Sequence, residues 1–261
     1  MNKACLNGLS SVYRNQINAQ GIVNFDELRP EDVIRQVPAE QLDLDWSAVI
    51  YIKNFQGSQA GGTVIWSNDE GFFRTNCSSK AAMDRLTTTQ VLTWFDMNTM
   101  VEFLQLSSPV PFVLGPIVLV STDRPSGSGY TSWLGCQFET HINGTMQERQ
   151  VRVLLNNGLA LIVHDTAARL RKKVAEAREI LMLQQQIQQE IAQQHVTVPP
   201  AGKIRPVMEV ARQFQEKRDC RLIGEIFSKT GLDPDPQLLE KALHSLYQGE
   251  GRSYDFINER S

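Results

Sequence analysis

The chain contains none of the compact motifs by which small sites bind metals or phosphates. Its four cysteines lie far apart and form no CxxC pair, which argues against a zinc site or a disulfide scaffold and is typical of a reducing compartment: Cys5, Cys77, Cys136 and Cys220. The four histidines are also scattered, without an HExxH motif. The glycine-rich stretch STDRPSGSGYTSW lacks the lysine of a P-loop. We therefore expect no metal and no cofactor.

Long apolar runs and an excess of basic residues are absent as well. No stretch of about 18 apolar residues could span a membrane, and the first residues, MNKACLNGLSSVYRNQ, lack the apolar core of a signal peptide. We therefore expect a cytoplasmic protein with no membrane contact. The formal net charge of −3 is unusual for a nucleic-acid binder, but the distribution of charge matters more than its sum.

What is present divides into three predicted regions. Residues 1–45 form an acidic, partly helical segment, in which LRPEDVIRQVP has a proline suited to a helix start and ends at Pro38. Residues 46–181 form a β-rich domain that ends in a basic helix. Residues 182–261 continue that helix through a glutamine-rich stretch, a linker at 196–203 and a tail of two or three short helices.

Alternating apolar residues predict the strands. The turn residues Asn68-Asp69-Glu70 indicate a hairpin, and TQVLTWFDM and MVEFLQL are β-branched and aromatic enough to predict further strands. WLGCQFETHI, QVRVLL and LALIV are separated by Asn-Gly turns, which predicts an antiparallel three-stranded meander. In the first of these, Leu134 through Ile142 would form one continuous strand.

After Asp165, the predicted helix N-cap, the period changes to that of a helix. No glycine or proline occurs until Pro199, so we predict one long amphipathic helix from 165 to about 195. The predicted fold class is α+β: an antiparallel β-rich core followed by this helix and a helical C-terminal extension. Ile187 and Ile191 could form the seam of a homodimer or higher oligomer, and the tail could bind a protein partner.

Basic residues cluster near the start of the long helix. Arg169, Lys172 and Lys173 fall on one side at helical spacing, and Arg171 and Arg178 fall on a neighbouring side. Such a side could lie along a phosphate backbone, or it could simply be a solvated face. Three further residues could extend the surface: Lys80, Arg85 and Arg152.

Catalytic groups are harder to assemble. His164 and Asp165 are adjacent, but neighbouring residues on a strand point to opposite faces. Glu139 and His141 share a face, yet no nucleophile accompanies them. We therefore expect that the chain is not an enzyme.

Three segments, taken in order, resemble the ComK family of competence transcription factors, and the similarity runs from about Trp46 to Leu181. They are GFFRTNCSSKAAMDRL, GPIVLVSTDRPSGSGYTSWLG and QVRVLLNNGLALIVHDTAARLRKKV. The resemblance implies an oligomeric transcriptional activator that binds A/T-rich double-stranded DNA, largely in the minor groove, where arginines are attracted by the enhanced negative potential. It also implies that Arg124 in the loop reaches a groove or a phosphate.

The sequence leaves three hypotheses on function open. The first is a sequence-selective DNA-binding regulator of the competence type. The second is a protein interaction module of the same fold that does not bind DNA, which the net acidity and the extra tail favour. The third is a small enzyme.

Overall fold

The computed structural model describes residues 3–55, 62–90, 92–107, 109–122, 131–196, 209–232 and 234–247. Arg124 and most of its loop lie outside these residues, so the structure does not place them. The chain divides into two compact units. The first comprises Met1–Met97 with Ser107–Leu181, and the second comprises Asn98–Leu106 with Met182–Ser261.

The described residues form six α-helices and ten strands, which confirms the predicted α+β class. The helices are α1 (Ser11–Gln20), α2 (Ser79–Thr89), α3 (Trp94–Phe103), α4 (Ala167–Val196), α5 (Glu209–Lys229) and α6 (Pro236–Tyr247). The strands are β1 (Ile22–Asn24), β2 (Val49–Phe55), β3 (Gly62–Ser67), β4 (Gly71–Thr75), β5 (Phe112–Leu114), β6 (Ile117–Ser121), β7 (Trp133–Gly135), β8 (Glu139–Gly144), β9 (Gln150–Leu155) and β10 (Ala160–His164).

Both sheets belong to the first unit. The larger sheet is antiparallel throughout and has the strand order β4-β3-β2-β7-β6-β5. The predicted turn at Asn68-Asp69-Glu70 connects β3 to β4. The smaller sheet has the order β1-β10-β9-β8, in which β8, β9 and β10 form the predicted antiparallel meander and β1 adds to β10 in parallel.

The continuous strand predicted over Leu134–Ile142 is wrong. The segment is split between the sheets, because β7 pairs with β2 and β6, whereas β8 pairs with β9. Gly135 is required in β7: a Cβ there would meet the carbonyl oxygen of Val49. The chain leaves the larger sheet just after this glycine, and Cys136 N still donates to Val118 O at 2.8 Å.

Two further predictions on local structure are wrong. TWFDM and the residues after it form helix α3 instead of strands, because Asp96 accepts from the backbone N–H and the hydroxyl of Thr93, at 2.9 and 2.8 Å, and so caps the helix start. The segment LRPEDVIRQVP is helical only as a 3₁₀ turn at Pro30–Asp32. Beyond that turn, its backbone bonds to β4.

The N-terminal segment packs into the first unit through aromatic side chains. Phe25 lies 4.4 Å from Tyr51 between ring centroids, and Trp66 stacks on Phe72 at 5.0 Å. The indole of Trp66 donates to Cys5 O at 2.8 Å. Some residues before 46, Phe25 among them, therefore contribute to the core beside the larger sheet.

The long helix is confirmed as α4, with a corrected start. Thr166 precedes its first turn and accepts from Leu170 N through its carbonyl oxygen at 2.9 Å, so Thr166 and not Asp165 is the N-cap. Leu170 and Val174 are buried, as the amphipathic pattern predicts.

The second unit is helical, as predicted for the tail. It contains the end of α3, the part of α4 after Leu181, and α5 and α6, which are separated at GLDPDP. Phe103 and Phe214 meet edge to face at 5.8 Å, and Arg221 pairs with Glu102 at 2.5 Å. Two side-chain hydrogen bonds connect α5 to α6, one between Glu216 and His244 and one from the Tyr247 hydroxyl to Asp219.

Candidate functional site

The first half of α4 carries most of the predicted DNA-contacting residues, and one of them is buried. Lys173 is 5% exposed, and its Nζ donates to Asp165 Oδ2 at 2.8 Å and to Ser121 O at 2.6 Å. This corrects the placement of Lys173 on a solvated basic side. Its ammonium holds the start of α4 to the end of β6, since Ser121 is the last residue of that strand.

Asp165 also accepts from its other neighbours. Its side chain is fully buried, and Oδ1 lies 2.7 Å from Thr166 N and 3.5 Å from Arg169 Nη1. Arg169, with a third of its side chain exposed, thus faces the same carboxylate as Lys173. Asp165 is thus the centre of a charged cluster with Arg169 and Lys173 that holds the start of α4 in place. The sequence predicts only that Asp165 caps the helix.

Arg171 is bound to the backbone of a sheet edge. Its Nε and Nη2 donate to Ile142 O at 3.1 and 2.5 Å. β8 is the outer strand of the smaller sheet, so an outward carbonyl there has no strand partner. The guanidinium caps this carbonyl and joins α4 to β8.

The remaining cations of α4 face carboxylates. Arg178 pairs with Glu139 at 2.9 Å, and Lys172 lies 3.9 Å from Glu176 one turn further on. Glu176 is itself buried and accepts from the hydroxyl of Ser107 at 2.7 Å. The Arg178–Glu139 pair and the bond from Ser107 to Glu176 attach α4 to neighbouring segments of the first unit, whereas the Lys172–Glu176 pair lies within the helix.

The electrostatic consequence is that α4 presents less positive charge than its sequence indicates. Of its five predicted contact residues, four face a carboxylate of the same chain and the fifth donates to a carbonyl. Paired arginines and lysines can still approach phosphates, but each such contact must compete with an internal partner. Nothing in the sequence indicates that Arg178 pairs with Glu139, because the two residues are far apart along the chain. The pairing of Lys172 with Glu176 could have been predicted from their i,i+4 spacing on a helix.

Two of the other predicted residues are open to solvent. Arg152 is exposed on β9, opposite Asn143 and Ile162 in the neighbouring strands, and Lys80 is exposed in the first turn of α2. Neither forms an ion pair with a described residue. Arg85 is half-buried, and its guanidinium donates to Ala39 O.

The aromatic end of the glycine-rich loop lies in the core. Trp133 is buried, 5.7 Å from the ring of Trp94, which in turn meets Phe112 edge on. The hydroxyl of Thr122, at the other end of the loop, bonds to the hydroxyl of Tyr51 at 2.9 Å. Both ends of the loop are thus fixed to the larger sheet.

The buried thiols do not have the chemistry of activated nucleophiles. Burial raises the pKa of the Cys136 thiol, and burial also raises that of Cys5, whereas a reactive cysteine needs a lowered pKa. Within the described ranges, no three His, Cys, Asp or Glu side chains are grouped to hold a metal ion. Nor does any described helix have the length and apolarity needed to cross a membrane.

Exposed aliphatic side chains are concentrated in the second unit. Of ten large exposed apolar residues in the described chain, seven belong to it: Met182, Ile191, Leu222, Ile226, Leu232, Leu238 and Leu246. Scattered apolar residues are normal on a surface, whereas a contiguous apolar patch marks a contact surface. The predicted seam residue Ile191 is among them, at 44% exposure.

Comparisons of the chain with protein-family models, with curated proteins and with solved structures give no match. The resemblance to the ComK family therefore remains a prediction from the order of motifs.

Proposed function

We propose that this chain is a non-enzymatic interaction module that works as an oligomer, with α6 as its self-association face. The observation that carries the proposal is the unequal burial of the leucines of α6. Leu243 is 8% exposed, whereas Leu238 and Leu246 are 64% and 63% exposed. The packing of α6 against α5 therefore covers only part of its apolar side.

The uncovered part is self-complementary. In an antiparallel pair of α6 helices related by a two-fold axis at Ala242, Leu238 of one copy lies opposite Leu246 of the other, because both are four residues from the centre. Ala242 is exposed and small, so the two backbones can approach closely at the axis. Fully burying an exposed leucine contributes about 1.5–3 kcal/mol. Since Leu238 and Leu246 are 64% and 63% exposed, each would gain about two thirds of that, and each pair of copies would bury four such leucines.

Sedimentation of the full chain over a range of concentrations tests this proposal. We expect a reversible dimer whose dissociation constant rises at least about tenfold in Leu246→Gln and in Ala242→Arg. Lys241→Gln is the matched control, since it places the same residue at an exposed position of the same helix. A chain that stays monomeric to about 100 µM, or variants that dimerise like the control, would refute the proposal.

A DNA-binding regulator of the competence type, acting in the cytoplasm on A/T-rich sites, is the second candidate. Two observations favour it besides the sequence resemblance: Arg152 and Lys80 are exposed, and no described carboxylate pairs with them. An oligomer would present each residue more than once, which strengthens binding along a duplex.

Fluorescence anisotropy with an A/T-rich duplex over a salt series tests this candidate. Arg152→Ala and Lys80→Ala should each weaken binding and lower the salt slope by about one for each copy in contact. Lys229→Ala is the control, because it removes one exposed cation that is not among the predicted contact residues. Absence of binding at low salt would eliminate the candidate and leave the interaction module.

A further inference from the structure

A cavity of about 370 Å³ opens in the first unit beside the edge strand β4. It is lined by residues of β2, β3 and β4 and by the segment that follows Pro30. Its described lining contains one cation, Arg74. The apolar lining residues are Pro30, Val37, Pro38, Phe55 and Val64, and the uncharged polar ones are Gln36, Thr63, Thr75 and Asn76.

The cavity is built by backbone pairing. Arg74 N donates to Arg35 O at 3.0 Å, and Val37 N donates to Arg74 O at 2.9 Å, so the segment follows the outer edge of β4. Val64 lies opposite Arg74 in the register of β3 and β4, which puts both on one face of the sheet. A buried aliphatic side chain thus adjoins a half-buried guanidinium.

Arg74 is the charged group of this cavity. With the Gln36 amide oriented so that its oxygen faces Arg74, both Nε, at 2.9 Å, and Nη2 donate to that oxygen. Arg74 forms no ion pair with a described carboxylate, and the described lining includes no Asp or Glu. A guanidinium has five N–H donors, so donors remain after the bonds to Gln36.

We propose that this cavity binds a small organic monocarboxylate with an aliphatic or aromatic body. Its volume is at the lower end of the range for small-molecule sites. The planar fork of an arginine matches a carboxylate, and the apolar walls at Pro38 and Phe55 suit a hydrocarbon body. A described lining whose single charge is one cation suits a monoanion better than a phosphate dianion. This site is independent of the α6 contact and gives the module a ligand.

Ligand-observed NMR on the full chain tests the site with matched probes. Benzoate and hexanoate are compared with benzamide and hexanamide, which keep the shape but lose the charge. We expect the acids to bind at least about tenfold more tightly than their amides. Arg74→Gln should abolish the preference for the acids. Arg74→Lys keeps the positive charge but not the planar guanidinium, and it should reduce that preference. Arg149→Gln removes an exposed cation that does not line the cavity, and it should bind like the wild type.

The comparison of acid with amide needs no substitution, so it decides the matter even if Arg74→Gln fails to fold. Equal binding of acid and amide to the wild-type chain would show that Arg74 does not anchor the ligand. Absence of binding by all four probes would overturn the site, and so would binding that persists unchanged in a folded Arg74→Gln chain.

Discussion

Replacing Lys173 with methionine should separate a structural role from a DNA-contacting one. The Lys173 and Asp165 side chains are 6% and 0% exposed, and their charged atoms are 2.8 Å apart. At an effective dielectric constant of about 20, that separation corresponds to an attraction of about 6 kcal/mol before desolvation is subtracted. Removing one partner of a buried pair typically costs about 3–5 kcal/mol.

We expect the lower end of that range, about 3 kcal/mol, because Asp165 retains Thr166 N and Arg169 as partners. Lys172→Met is the matched control: the side chain of Lys172 is 65% exposed, and its pair is 3.9 Å long, so its loss should cost at most about 1 kcal/mol.

Urea unfolding followed by tryptophan fluorescence measures both effects. All four tryptophans lie in the first unit, so the signal reports the unit that contains the pair. The double variant Asp165→Asn with Lys173→Met should be less destabilised than the two single changes added together, since no unpaired buried charge remains. Equal stability of the Lys172 and Lys173 variants, or simple additivity in the double variant, would refute the structural role of the pair.

Three other predictions concern packing, pH and thiol reactivity. Gly135→Ala should destabilise the first unit by at least about 2 kcal/mol in the same urea assay, because the added Cβ would meet the carbonyl oxygen of Val49. Gly144→Ala is the control: a Cβ there has its nearest contact at 4.0 Å, so the change should cost under about 0.5 kcal/mol. Burial, together with a hydrogen bond to the Asp219 carboxylate, raises the pKa of Tyr247 from 10.0 to about 12. The α5–α6 pairing should therefore lose stability as pH rises from about 10 through 12. In a circular-dichroism titration, Tyr247→Phe should remove this pH dependence. Burial also raises the pKa of Cys136, so a disulfide reagent at pH 8 should modify half-exposed Cys77 in the native chain and Cys136 only after unfolding.

Elements with strong local signals were predictable from the sequence. The meander β8–β10 follows from alternation and Asn-Gly turns, and α4 follows from a helical period without glycine or proline. The helix α3 was also encoded locally, in the spacing of Thr93 and Asp96, but its β-branched and aromatic residues favoured a strand.

Features set by distant contacts were not predictable. A single alternating run is divided between two sheets at Cys136–Phe138, and nothing in its period marks the change. The basic side of α4 was correctly placed on the helix, but the buried state of Lys173 depends on Ser121, more than 50 residues earlier in the chain. Charge patterns in a sequence show which residues are basic and cannot show which of them already have partners.

The parallel pairing of β1 with β10 has a consequence for how the chain is synthesised. Ile22 pairs with Ala160, so the first strand emerges from the ribosome long before the strand with which it pairs in the smaller sheet. At about 5–20 residues per second, roughly 7–28 seconds separate the two. Val23, which is fully buried in the finished protein, lacks its strand partner Leu161 for that interval. We therefore expect nascent chains stalled before residue 160 to be captured by a chaperone that binds apolar segments.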